Sequence, residues 1–307
     1  MSAVFAVLAA AVLFGTTGTS QALGPDDSTP LAVGVARLLV GGTVLAVVGL
    51  AVGARARRRA PHPPPVTPRA VALLALTGVS LAAYQPLFFL GTERNGVAVG
   101  TVVALGSAPV LAGLFEWALT RRVPTLTWAG ATALALAGVA LLALGGSGQT
   151  GADPVGFAAS VAAGATFAII AVAQRRLFDS GWNPFSVAGG MGATAALVAV
   201  LCVPFVDLRW ATTGSGLVMS LWLGLVTITL AYTLFTWGLQ RLTAATAATL
   251  TLGEPLTAAV LGIAVLGEKL SLAAVGGLVV LGSGLVLLAW GARSARDRAS
   301  HPEEVRA

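Results

Sequence analysis

Charge is scarce in this chain. Only 10% of its 307 residues are Asp, Glu, Lys or Arg and 56% are hydrophobic, whereas soluble domains carry roughly 25% charged residues. So few charges cannot clothe a water-facing globule, and a mean hydropathy of +0.88 says that much of the surface faces lipid. The lone Cys202 excludes an intramolecular disulfide, and the lone Lys269 excludes a lysine-rich nucleic-acid patch. His62 and His301 sit apart, in a proline-rich joint and in the tail, and make no metal-ligand group. A formal charge of +6 would suit a polyanion partner, but its placement follows membrane orientation, as described below.

What the chain has in abundance is long apolar runs. A membrane helix needs about 20 apolar residues, and ten segments qualify, approximately 3–22, 31–52, 70–90, 96–119, 126–144, 155–174, 184–205, 216–238, 243–265 and 271–291. The joints carry turn chemistry: Gly24-Pro25-Asp26-Asp27, Pro61 to Pro68, Gly145 to Asp153 and Asp179-Ser180-Gly181. Thirty-eight glycines suit helices in close approach, and Gly49-x-x-x-Gly53 and Gly96-x-x-x-Gly100 are candidate contacts.

The ten segments form a repeat. With one residue dropped, Ala83-Tyr84, Leu87-Phe88, Gly91 and Arg94 align with Ala231-Tyr232, Leu234-Phe235, Gly238 and Arg241. Pro109 falls on Pro255, Gly130 on Gly276, Gly138 on Gly284, Phe14 on Phe167 and Gln21 on Gln174. Five spans per copy is an odd number, so the copies enter the membrane from opposite sides. That gives inverted repeats, the usual build of a secondary transporter, with the substrate site near the midplane between the halves.

Charge tests the count independently. Every even-numbered joint is basic: Arg55, Arg57, Arg58, Arg59 and Arg69, then Arg121 and Arg122, then Arg175 and Arg176, then Arg241, then Arg293, Arg296 and Arg298. Short basic loops stay cytoplasmic, so both termini are expected inside, in a multi-pass protein of the inner (plasma) membrane. Ser20-Gln21-Ala22 resembles a cleavage site, yet no Lys or Arg precedes Arg37, so the first segment is expected to be kept as a span.

Gly253-Glu254-Pro255, Leu266-Gly267-Glu268, Gly276 and Gly284, together with Phe167-Ala168, Arg175-Arg176 and an early Arg37, resemble the EamA-type transporters of the drug/metabolite transporter superfamily. The resemblance covers about residues 3–291. It implies an all-α membrane fold of ten helices in two inverted five-helix repeats, 3–144 and 155–291, followed by a cytoplasmic tail, 292–307. It also implies a secondary carrier, most often an exporter of amino acids, metabolites or toxic compounds, without ATP and without a cofactor. Three departures stand out: Phe14 and Phe167 where the family often has Trp, Arg121-Arg122 in place of Gly-Glu, and Ala108-Pro109 opposite Glu254-Pro255.

Glu254 is the sharpest single signal. Helical rise places it roughly 16 Å into a core of about 30 Å, where ionisable groups usually face a cavity and bind substrate or protons; the alternative is a helix-packing carboxyl bonded to a neighbour. Pro255 and Pro109 each free the carbonyl four residues earlier, at Thr251 and Leu105, offering either substrate contacts and hinges or ordinary kinks. Arg37, about 9 Å below the outer surface, either draws anionic groups inward, pairs with an acid or snorkels. Tyr84 and Tyr232 lie at mirrored depths and with Gln85 can frame a polar pocket, unless they bond within the bundle. Glu116 is expected to bridge to Arg121 and Arg122.

The expected partners are a small-molecule substrate, the lipid bilayer and protons as a coupling ion; a homodimer stays open, and nucleic acid is excluded. Gly146-Ser147-Gly148-Gln149-Thr150-Gly151 satisfies G-x-G-x-x-G but lacks the preceding soluble strand that a dinucleotide site requires. An uptake permease and an integral membrane enzyme are the rival readings; the enzyme would need clustered catalytic groups, and only one midplane acid is present.

Overall fold

The computed structural model describes residues 2–121, 124–144, 153–267 and 271–300, with the side chains of 97–98, 143–144 and 292–300 left aside. Arg122, Glu268, Lys269, His301, most of the Gly145-to-Asp153 joint and the end of the tail lie outside these residues.

The described chain is helical. Nine helices are long and apolar enough to cross a membrane: α1 (Ser2–Ala22), α2 (Pro30–Arg59), α3 (Pro68–Gly96), α4 (Val99–Thr120), α6 (Pro154–Asp179), α7 (Pro184–Phe205), α8 (Gly214–Leu239), α9 (Ala244–Leu266) and α10 (Leu272–Gly291). A tenth, α5, runs Leu126–Leu144. Several starts share one device, a small polar cap followed by proline. Thr29, Thr67, Asp153 and Asn183 each accept a first-turn amide with their side chain, and Pro30, Pro68, Pro154 and Pro184 follow. Proline suits that position because its missing N–H would have had no helical partner. Arg57, Arg58 and Arg59 close α2 at the end where cations favour the helix dipole.

Two elements differ from the expected plain helices. α3 does not stop near residue 90; it runs on to Gly96, whose φ of 78° and ψ of 154° alone break the path into α4. Residues Trp222–Leu230 of α8 form a π-helix, a wider coil that occurs mostly as short stretches at functional sites.

Packing follows the repeat. α2 lies on α7, α5 on α10, α4 on α9; α1 rests against α8 and α9, as α6 rests against α3 and α4. Exchanging each helix for its counterpart in the other repeat leaves these pairs unchanged. The glycines show the same exchange at atomic detail. A Cβ on Gly138 would meet Leu281 at 2.3 Å, and one on Gly284 would meet Ala135 at 2.7 Å, the same contact seen from the other copy. Gly42 against Ala196 and Gly189 against Gly49 repeat the relation on α2 and α7. Lipid supplies no hydrophobic drive between helices, so such close backbone contacts carry much of the association. Gly49 and Gly53 are therefore inter-helix contacts, as expected. Gly100 instead packs on Thr92 within the α3–α4 corner, so the second G-x-x-x-G is a turn and not a helix seam.

Candidate functional site

The candidate groups are carried by α2, α3, α8 and α9, and one arginine is central to them. Arg37 on α2 is only 8% exposed. Its Nη2 donates to Thr227 Oγ1 at 3.1 Å, while its Nε is buried without a partner. Thr227 belongs to the π stretch of α8 and its own hydroxyl donates a hydrogen bond to the Leu223 carbonyl at 2.6 Å. A snorkelling arginine would reach water at the membrane edge; this one turns inward.

Gln85 on α3 stands beside it. Its side chain packs on Gly34, one turn before Arg37 on the same face of α2, and its Nε2 is likewise buried and unpartnered. Tyr84, Tyr232 and Glu254 lie within electrostatic reach of Arg37 and of one another. Tyr232 is buried, with its ring edge-on to Phe14 at 5.0 Å. Tyr84 stacks on Phe88 at 5.8 Å. Tyr84 and Glu254 keep part of their surface accessible. Arg37 and Glu254 form no ion pair, the described pairs being Arg94–Asp153, Arg175–Asp179 and Arg209–Asp207.

Glu254 owes its position to a break in α9. The helix runs Ala244–Leu250, turns at Thr251 and Leu252, and restarts as Gly253–Leu266. Glu254 occupies the first turn of the second half, where the helix dipole favours negative charge. The break also corrects an expectation. The Thr251 carbonyl is not free, because the Glu254 N–H donates to it at 2.9 Å, and the Thr251 hydroxyl donates to Ala248 O at 2.7 Å. Thr251 is a satisfied turn residue, not an open substrate contact. Pro255 therefore sits at a true discontinuity, whereas α4 stays helical through the buried Pro109. The two prolines are not matched hinges.

Glu116 is a second correction. Its carboxylate accepts the Ala245 N–H at 3.0 Å and does not bridge to Arg121, while Arg122 lies outside the described residues. Gln174 is fully buried and donates to Met191 Sδ at 3.2 Å. Trp237 carries the Arg241 guanidinium 5.1 Å from its ring centre. Sequence reasoning missed Thr227 and also a hydroxyl cluster in which Trp128 Nε1 donates to Thr249 at 3.1 Å and the Thr132 hydroxyl is hydrogen-bonded to it at 3.0 Å. The only signal for either was a threonine inside an apolar run. A separate cleft of about 320 Å³ lies on the basic face among Arg69, Arg176, Asp179 and Trp182, away from the central groups.

Membrane-length apolar helices packed as two five-helix repeats, each pairing with its counterpart in the other copy, define a membrane transporter built of inverted repeats. The chain belongs to the EamA-like transporter family, whose pattern matches residues 1–144 and again 155–290. It is 40% identical over 289 residues, 92% of each chain, to the uncharacterized transporter YwfM of Bacillus subtilis (strain 168). Over 225 residues, 70% of each chain, it is 30% identical to the threonine/homoserine exporter RhtA of Escherichia coli (strain K12). A crystal structure 22% identical in sequence superposes with a TM-score of 0.78 over 96% of this chain and 98% of its own, a likeness of fold alone.

Proposed function

We propose that this protein is an exporter, a secondary carrier that expels small polar or amphipathic metabolites, amino acids among them, across the plasma membrane by alternating access. The repeats 3–144 and 155–291 rock against each other around the chamber, and both termini, with the tail 292–307, lie in the cytoplasm. Glu254 carries a proton inward as the solute leaves. The reading rests on one observation: Arg37 Nε and Gln85 Nε2 are buried without a partner, with Tyr84, Tyr232 and Glu254 within electrostatic reach of Arg37. Groups kept only for stability would be bonded to one another. RhtA, named an exporter, supports the outward direction.

Inverted vesicles with an acidic lumen test this directly. The expected result is solute accumulation that right-side-out vesicles do not show; loading of the right-side-out vesicles would instead make the protein an uptake permease. Glu254→Gln is expected to abolish the response to the pH gradient, and a fully pH-sensitive variant would refute proton coupling through Glu254. Orientation is read in a Cys202→Ser background. A membrane-impermeant maleimide should label Asp27→Cys on intact cells and His62→Cys only after permeabilisation.

A further inference from the structure

We infer that the cleft on the basic face binds a phosphate group, that of an anionic phospholipid headgroup, between Arg69 of the first repeat and Arg176 of the second. The site is separate from the central groups and independent of what the carrier moves.

The cleft encloses about 320 Å³. The start of α3 lines it on one side and the end of α6 on the other, so it lies on the seam between the two repeats. Pro65 of the proline-rich joint forms its lip, and Arg57 Nη1 donates to the neighbouring Pro64 carbonyl at 2.6 Å. A joint already held in place needs little further ordering when a ligand enters.

Both arginines have donors to spare. Arg69 makes no hydrogen bond or ion pair among the described residues, and Arg176 uses only Nη2, which donates to Leu119 O at 2.8 Å. Asp179 also lines the cleft, but its Oδ1 pairs with Arg175 at 2.9 Å. Two planar guanidinium forks therefore line one concave space with no counter-ion of their own among the described residues. A phosphate group carries several acceptor oxygens and takes forked donors from two sides. A cleft of one sign also concentrates the field that draws such a group in.

Simpler causes explain the arginines but not their convergence. Membrane orientation places basic residues on this face, yet it does not set two of them across a cavity. The helix dipole suits Arg176 in the last turn of α6. It opposes Arg69, which stands in the first turn of α3 where negative charge is favoured and no acidic residue is present. An anion between the two arginines would satisfy that helix end as well.

The apolar part of the lining favours a lipid over a free ion. Trp182, 9% exposed, belongs to a residue type that concentrates at headgroup level. Leu73 lies one turn deeper along α3 than Arg69 and is half-buried, so it offers apolar surface to the glycerol and the first methylenes. Basic pockets between membrane helices suit such headgroups.

Native mass spectrometry of the full chain in mild detergent, titrated with phosphatidylglycerol, phosphatidylethanolamine and inorganic phosphate, tests the site. The wild type is expected to retain phosphatidylglycerol in preference to the zwitterionic phosphatidylethanolamine. Arg69→Gln and Arg176→Gln should each weaken phosphatidylglycerol binding by on the order of fivefold, the usual effect of one arginine at an anionic lipid surface. Arg58→Gln removes an equal charge from an exposed position outside the cleft and should change nothing. Because Arg69 carries no described bond, Arg69→Gln should fold normally, and an unaltered thermal midpoint without lipid checks this. Equal retention of phosphatidylethanolamine, or an equal loss in Arg58→Gln, overturns the site and leaves only diffuse attraction to a basic face. Inorganic phosphate that displaces phosphatidylglycerol at matching concentration, in an Arg69-dependent way, would keep the phosphate site and overturn its lipid source.

Discussion

The carboxylate of Glu116 accepts the backbone N–H of Ala245 at 3.0 Å, fastening the end of α4 to the first turn of α9. Thr243 caps the next amide, Thr246 N–H, at 3.1 Å. Beside this contact Arg175 Nη1 donates to the carbonyls of Gln240 and Leu242, at 2.8 and 3.2 Å, and Nη2 pairs with Asp179 at 2.9 Å. Loss of a side-chain acceptor at a helix start costs roughly 0.5–2 kcal/mol. Glu116→Ala should lower thermal stability in detergent by about that much, and Glu116→Gln, which keeps an acceptor oxygen, by less. Equal midpoints for the wild type and Glu116→Ala would show that the bond contributes nothing.

Much of the fold was legible because lipid imposes one-dimensional rules. Span length, basic even joints and the Ala-Tyr repeat each follow from local composition, and together they fix ten helices in two opposed copies. The candidate residues were legible, but their bonding was not. Glu254 and Arg37 stood out as charges in apolar runs, yet Arg37 bonds to a residue 190 positions away. No local pattern announces such a partner. Thr251 was misread because the proline rule assumes a continuous helix, and α9 instead restarts at Gly253. The π stretch of α8 depends on hydrogen-bond register, which composition does not encode.

Close contact between α2 and α7 gives a stability prediction with its own control. A Cβ on Gly189 would come within 2.5 Å of Leu50 N and 2.8 Å of Gly49 C. Both are backbone atoms, so the helices must separate, a strain that typically costs about 1–3 kcal/mol. Gly189→Ala should therefore lower the thermal midpoint. Gly282→Ala has nothing within 4 Å of the new methyl and should raise stability by roughly 0.5–1 kcal/mol, the usual gain inside a helix. A destabilised Gly282→Ala with an unaffected Gly189→Ala would contradict this packing.

Asp153 sets an acid-side dependence. Its carboxylate accepts the Val155 N–H at 2.8 Å and Arg94 Nη1 at 3.1 Å, and its backbone is paired with Asn95. The Val155 amide first, and then Arg94, hold this carboxyl below the usual aspartate range. A group depressed in the native state stabilises above its unfolded pKa, about 3.9, and that contribution is lost as pH falls through the lower native value. Thermal midpoints should thus fall more steeply with acid in the wild type than in Asp153→Asn, which retains the cap without the charge. Parallel acid limbs for the two proteins would rule out this tether as a titrating element.

Arg37 separates function from stability. A buried charge with an unpartnered Nε is a burden on the fold, and replacing such a group by an apolar side chain of similar volume is often neutral or stabilising. Arg37→Met should keep or raise the thermal midpoint while reducing vesicle export by roughly tenfold or more, as expected when a buried charged contact to the solute is removed. Arg37→Lys retains the charge but not the planar fork that reaches Thr227, so export should recover only in part. A structural arginine would show the reverse: Arg37→Met would lose its thermal midpoint, and whatever folded protein remained would export at the wild-type rate.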